Sequence, residues 1–435
     1  MVIGEAAHTE GGVTTAQGIY SHAEGFTTEA KGDMAHSEGD STLSYGNSAH
    51  SEGHYTFANG NYSHVEGMGT KVSKIPFELK IAGIVLKTLY LEDLGLRTTA
   101  IESNKLLTVS ITKKISIADL SLTIAELINQ YPEVKKLIQD ALKYVENGAV
   151  IQLSSGKLLP IDKIDLSNLD TNKLLLTVHG QHKSTSGILS CDVVEIYTGT
   201  SYGTAAHSEG FNNAALGEYS HVEGKNNKSS GEGSHAEGNR AIAEGEYSHA
   251  EGYETTASGQ AAHSEGYQSK ANGNYSHAEG RNTIANSVNS HAEGQDTEAN
   301  GTSSHAEGNK TKAYADHSHA EGYQTQTGDL DNDGQYIRGT GNYAHAEGKT
   351  TYAIGEASHT EGYETQARGD HSHAEGNYAY AIGNYSHAEG QDTEAKGVAS
   401  HAEGYGNKAN KEYAHSEGYK TEANAIGSHV EGYKT

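Results

Sequence analysis

Small apolar residues recur at alternate positions in two short stretches, and the pair of stretches returns every fourteen residues. Counted from a histidine at position 0, the commonest fourteen residues read His, Ala, Glu, Gly, Tyr, x, Thr, x, Ala, x, Gly, x, Tyr, Ser; the segments beginning at His277 and His387 follow this pattern closely. Period-two alternation predicts strands rather than helices. One strand is expected over Tyr-Ser-His-Ala-Glu-Gly and a second over Thr-x-Ala-x-Gly, with glycines closing the turns between them. Ser, Ala and Gly share one face of the first strand, and Thr, Ala and Gly share one face of the second. The variable residues of the second strand are Gln, Glu, Lys, Asn and Asp, so they are expected to face water. The other face of the first strand carries His, Glu and often Tyr, among them Tyr20, Tyr62, Tyr219, Tyr275 and Tyr385.

The motif His-x-Glu-Gly occurs twenty-one times in 435 residues. A length of 435 residues would ordinarily suggest two or three globular domains. A short fixed period overrides that expectation, because each coil of a solenoid touches only its neighbours. The period holds from His8 to His64, from His207 to His319 and from His345 to His429. It predicts a mostly β chain: a roll of five coils over residues 1–72, an inserted α+β domain over 73–197, and sixteen further coils over 198–435 with a short insertion near 328–340.

The coil resembles the left-handed parallel β-roll head of trimeric autotransporter adhesins, which repeats Ser-Val-Ala-Ile-Gly followed by Ala-x-Ala-x-Gly over a similar fourteen residues. The resemblance covers roughly residues 1–72 and 198–435. It implies a left-handed roll and a homotrimer, with three rolls packed through the face that carries Val and Ile in that family. Here His stands in place of Val and Glu in place of Ile. The resemblance therefore places a ladder at the subunit interface, represented by His22 and Glu24, His64 and Glu66, His221 and Glu223, His277 and Glu279, His305 and Glu307, and His387 and Glu389. No counterpart of the family's secretion signal, coiled-coil stalk or membrane anchor is recognised in these residues, so the resemblance is expected to extend to the fold and not to that family's secretion or anchoring.

A buried carboxylate needs a partner. Histidine on the next coil or the next chain would supply one, which makes polar adhesion between rolls the first reading of the ladder. Transition ions held on the axis by symmetry-related imidazoles are the alternative. Twenty-one identical acid–base pairs do not make one active site, so no enzymatic activity is expected. If His pairs with Glu as a charged couple, its pKa is raised and the assembly weakens as pH rises. If desolvation dominates, the imidazoles stay neutral and low pH is the destabilising condition.

The first interruption, between His64 and His207, inserts 129 residues beyond one coil and holds all three prolines (Pro76, Pro132, Pro160) and the single cysteine, Cys191. Its pattern predicts strands over 78–91, 105–117, 149–154, 173–179 and 188–197. It predicts helices over 119–130 and 132–146, the latter with an apolar stripe of Val134, Leu137, Ile138, Leu142 and Val145 and with Gly148 just past its end. His179, His182 and Cys191 read as turn and strand residues, and no phosphate loop, zinc spacing or nucleophile elbow is present. The second interruption, between His319 and His345, adds 12 residues and contains Asp329, Asp331 and Asp333 before Gly334. Alternate aspartates before a sharp turn are candidate Ca²⁺ ligands over 329–334. The position where an EF-hand needs Glu is Thr340, and a polar hairpin tip is the competing reading.

Composition narrows the function. Gly 53, Pro 3 and Trp 0 suit many tight turns and a thin core, and a net charge of −26 argues against nucleic acid and anionic membrane surfaces. A lone cysteine allows no internal disulfide. The opening residues MVIGEAAHTEG show no basic or long apolar segment, so no signal peptide is expected, and no apolar run is long enough for membrane insertion. Gly4 already stands in coil phase and Thr435 falls within a coil, so the expectation is either that the chain is a fragment or that other virion proteins cover the ends of the roll. No cofactor is required by these patterns. The expected protein is a structural, adhesive trimeric fibre at a virion or extracellular surface, a bacteriophage tail or head fibre that binds a host-surface glycan or protein. A bacterial cell-surface adhesin head is the second reading, and a glycan-cleaving spike the third.

Overall fold

The computed structural model describes residues 1–69, 76–81, 84–90, 94, 96–101, 106–117, 120–142, 149–155, 158–165, 167–178, 193–197, 200–331 and 333–435. The chain falls into two compact units, Met1–Tyr247 and Ser248–Thr435. In both, the repeats form a parallel β-solenoid. Each coil contributes a five-residue strand from the histidine to position 4, such as His22–Phe26 or His277–Arg281, and a two-residue strand at positions 7 and 8, such as Glu29–Ala30 or Ile284–Ala285. Like residues pair across neighbouring coils, so that His22 lies beside His36, Glu24 beside Glu38 and Gly25 beside Gly39. The same register holds from His277 to His291.

The strands are shorter than the alternation predicts, because two corners consume more residues. Positions 5 and 12, seven residues apart, are left-handed: Thr27 and Met34 both have φ 57°, and Tyr267's successor Gln268 has φ 56°. At the second corner Ser21 donates both its amide and its hydroxyl to the Gly18 carbonyl, at 3.2 and 2.7 Å, closing a four-residue turn. The tyrosines expected on the first strand's polar face occupy this corner instead. Tyr20, Tyr62, Tyr219, Tyr275 and Tyr385 are left-handed and 57–67% exposed. Exposed amides at position 11 are satisfied from the next coil, as where Asp33 accepts from Ile19 N at 2.9 Å and Asn47 accepts from Asp33 N at 3.1 Å.

The two halves of a coil therefore follow one plan: a small residue buried at position 1 or 8, a glycine at 3 or 10, a left-handed residue at 5 or 12, and a buried hydroxyl or amide at 6 or 13. The interior is alanine, serine and threonine. Ala278, Ala285, Ala292 and Ala299 are completely buried, as are Thr283 and Thr297. The larger buried side chains of the coils are few, among them Val65 and Val222 at position 1 and Phe57 at position 7. Gly25 and its equivalents have φ near +110°, and a Cβ there would overlap the next coil's glycine carbonyl. That combination explains why position 3 is glycine in every coil.

Serine in place of alanine at position 1 pairs with the hydroxyl at position 6, at 2.8 Å in Ser37–Thr42 and Ser51–Thr56, 3.0 Å in Ser264–Ser269 and 2.7 Å in Ser416–Thr421. With alanine at position 1, the hydroxyl of Thr283, Thr297, Thr311 or Thr325 is buried without a partner. Asparagine at position 6 does better still. The amide of Asn227 donates to the Gly238 carbonyl at 2.8 Å and to the Glu223 carbonyl, while its oxygen accepts from Ala241 N at 2.8 Å.

The first interruption leaves the solenoid at Gly69 and re-enters at Thr200. His207 pairs with His64, and Thr200 with Phe57, as though the coils were consecutive. Its described residues hold a hairpin of Pro76–Ile81 with Ile84–Tyr90 and a second hairpin of Ile115–Ile117 with Leu120–Leu122. A six-stranded sheet runs in the order Leu96–Ile101, Leu106–Ile111, Lys173–Val178, Leu158–Asp165, Val150–Leu153, Val193–Tyr197. Adjacent strands are antiparallel. Thus the expected strands over 78–91 and 105–117 each divide in two, and Leu96–Ile101 and Leu158–Asp165 are additional. The helix expected from 119 starts at Ile124, where Thr123 caps it and Glu126 bonds back to the Thr123 amide. A second helix spans Glu133–Leu142, with Val134 and Ile138 buried in a core with Leu107, Val109, Ile151 and Leu174. Val145, Gly148, His179, His182 and Cys191 lie outside the described residues. No helix among the described residues is long and apolar enough to cross a membrane.

Candidate functional site: the histidine–glutamate ladder

Parallel pairing in strict register stacks identical side chains. Within the second unit successive imidazoles of the ladder lie 4.5–5.0 Å apart centre to centre, as from His291 to His305 (4.6 Å) and His305 to His319 (4.7 Å, rings 1° from parallel). This is the spacing of neighbouring strands. In the first unit the ladder includes His22, His36, His50, His64, His207 and His221, with His64 and His207 5.0 Å apart across the interruption.

In most coils the imidazole faces the glutamate two residues on. Nε2 to Oε2 distances are 3.6 Å for His22–Glu24, 3.8 Å for His64–Glu66 and for His221–Glu223, 3.9 Å for His277–Glu279 and for His305–Glu307, and 3.5 Å for His387–Glu389. These are too long for good hydrogen bonds. Nε2 of His64, His277, His305 and His387 is buried and makes none, although roughly a third of each ring remains exposed.

The ion-pair distances alone would raise the histidine pKa, but the net shift runs the other way. His50, His207, His277, His305, His345 and His373 all titrate below the ordinary 6.5. Burial against the stack is the largest cause, and repulsion from the imidazoles above and below is next; glutamate charges oppose both. The downward direction fits the geometry. Each glutamate is nearly half exposed, so water screens its charge, whereas the ring stack is closely packed. At these six histidines the direction is that of the second of the two alternatives considered from the sequence, in which desolvation outweighs the glutamate charge.

The register also groups donors from two coils. The donor atoms of His291, Glu293 and His305 lie within 4.8 Å of one another, as do those of His305, Glu307 and His319, of His319, Glu321 and His345, and of Glu251, His263 and Glu265. The sequence placed these residues in phase, but only the register shows that one coil's carboxylate faces two imidazoles. Asp329, Asp331 and Asp333 are placed differently. Asp331 accepts from the amides of Asp333 and Gln335 at 3.0 and 2.8 Å, and Asp329 accepts from Leu330 N at 3.0 Å. Leu330 and Tyr336 bridge antiparallel, and Gly334 turns the chain at φ 76°. The segment is a hairpin tip in which Asp329 and Asp331 bond to its own backbone.

In comparisons with known proteins, the chain matches no family model and no curated protein sequence. What the fold defines is a repeat protein, a parallel β-solenoid with a fourteen-residue coil.

Proposed function

We propose that this protein is a structural fibre that assembles as a homotrimer through its histidine–glutamate faces and serves as a bacteriophage appendage binding the host surface. The observation that carries the proposal is the row of buried, unpartnered Nε2 atoms beside half-exposed carboxylates. An isolated roll gains nothing by repeating such a face through every coil. A second and third copy would desolvate the carboxylates and supply donors and acceptors to both. The left-handed hand of the roll belongs to the same proposal. An alanine, serine and threonine interior suits a scaffold whose work is extension. The segment between Gly69 and Thr200, which has its own core of larger apolar residues, is the candidate contact for a host-surface glycan or protein.

Sedimentation of the purified chain tests the assembly. A trimer has three times 46.1 kDa, about 138 kDa. A stable species at 46.1 kDa across the micromolar range would refute it. Binding of the intact protein to host cells, lost when residues 73–197 are replaced by a short linker that keeps the coils in phase, tests the attachment role.

A further inference from the structure

The same unpartnered Nε2 atoms support a second inference that needs only one chain. We propose that the ladder of the second unit binds divalent transition-metal ions of the zinc class between adjacent coils, each ion held by two imidazoles and a carboxylate, or by one imidazole and two carboxylates, all from one protomer.

Three observations converge. First, the ligand chemistry suits such ions: neutral imidazole and carboxylate are ordinary zinc ligands, with Zn–N near 2.0–2.1 Å. Second, the geometry is close. Donor atoms in the His291, Glu293, His305 group lie within 4.8 Å of one another. The centre of an equilateral triangle of that edge is about 2.8 Å from each corner, so each atom must move inward by about 0.7 Å to reach a zinc ion. Flexible glutamates and small rotations of the rings supply such movements. Third, Nε2 of His291, His305, His319 and His345 is buried and makes no hydrogen bond. A bound cation would satisfy lone pairs that are otherwise orphaned.

The shared histidines fix the stoichiometry. His305 belongs to the groups on both sides of it, and so does His319. One Nε2 cannot serve two ions, and two cations about 4.8 Å apart repel strongly. The ladder therefore fills alternate intervals: one ion at His291, Glu293 and His305, a second at His319, Glu321 and His345. The group of Glu251, His263 and Glu265 shares no residue with these and takes a third.

Titration of the full chain with Zn²⁺, followed by calorimetry, with the Co²⁺ visible spectrum as a check on coordination number, tests the idea. The expected result is saturable binding of three ions per chain by this unit. The double variant His305→Gln with His319→Gln disables every overlapping group and should remove two of the three. Glu293→Gln, Glu307→Gln and Glu321→Gln together, which removes the carboxylate of every overlapping group, should weaken binding at these sites at least tenfold while keeping the side-chain volume. His317→Gln serves as control, since His317 stacks on Tyr343 away from the ladder. Circular dichroism confirms that each variant is folded. No saturable Zn²⁺ binding, or a stoichiometry unchanged in the histidine double variant, overturns the proposal. Sedimentation in the same samples separates this outcome from that of the trimer: loss of metal with the mass kept refutes only the metal sites, and metal bound to a monomer refutes only the trimer.

Discussion

The buried hydroxyls of the coil interior make a test of the packing rules. Thr297 is completely buried, and its hydroxyl has no partner, while Ala292 across the coil is also completely buried. Ser264–Ser269 and Ser416–Thr421 show that serine at the equivalent of Ala292 reaches the position-6 hydroxyl at 3.0 and 2.7 Å. Ala292→Ser should therefore complete a hydrogen bond with a group already desolvated. A buried hydrogen bond is worth about 1 kcal/mol net, and an unsatisfied hydroxyl costs about 1–3 kcal/mol, so the substitution should stabilise by about 1 kcal/mol. Polar substitution in a sealed interior normally has the opposite sign, which is what makes the measurement informative. Thr297→Val removes the orphan hydroxyl and should be neutral or slightly stabilising. With both changes the new serine loses its side-chain partner, so the double variant should be less stable than the sum of the singles by about 1 kcal/mol. Urea unfolding of the full chain, with amide exchange read over residues 291–305, measures the cycle. Destabilisation by Ala292→Ser alone, or a coupling energy under about 0.3 kcal/mol, would refute the reasoning.

Gly280→Ala forces a side chain to φ +114° and drives its Cβ into the Gly294 carbonyl; it should cost about 3–5 kcal/mol, from backbone strain plus a damaged ladder bond. Gly273→Ala should cost less: a Cβ there also approaches backbone, the Ser287 carbonyl, but no positive φ is required and the chain itself places Ser287, Ala315 and Lys411 at the equivalent position; equal losses in urea would contradict the account. Stability should rise with pH between about pH 5 and 7.5. Histidines held below 6.5 in the fold bind fewer protons than the unfolded chain beneath that pH, so their contribution is whole above 6.5 and lost as pH falls through the folded values. A melting temperature that drops across this window as pH increases would show the charged-pair arrangement instead. Thr123→Ala removes the cap of the helix Ile124–Gln130 and should lower the stability of the inserted segment by about 1 kcal/mol, seen as faster amide exchange at Leu127 and Ile128.

The period of fourteen, the buried alanines and the in-phase histidines were legible because a solenoid repeats its environment with its sequence. The corners were less so. Tyrosine at position 12 continues the alternation of the strand after it, and nothing local announces that Tyr275 is left-handed; the signal is the Ser276 hydroxyl returning to Gly273 at 2.6 Å. In the inserted segment, Leu158–Asp165 was missed because Pro160 argues against a strand inside a sheet. Leu96–Ile101 was missed because its run of Arg and Thr shows little alternation. The ladder's residues were readable, but their state was not: whether imidazole meets carboxylate as a charged pair depends on a few tenths of an ångström and on water access. The aspartates of 329–333 have the composition of a cation loop, and only the fold shows one oxygen each of Asp329 and Asp331 accepting from the hairpin's own amides.

Both interruptions leave their flanking coils paired as if nothing intervened, His64 with His207 and His319 with His345. An inserted module thus enters and departs within one corner, and what the roll demands of its cargo is adjacent ends, whatever the cargo's size. Loop-closure entropy grows only with the logarithm of length, so 129 residues cost about 2 kcal/mol more to close than 12. The same corners recur in every turn. Each unit is in this sense a run of cassettes with a socket, where the coils constrain the separation of a module's ends and not its size.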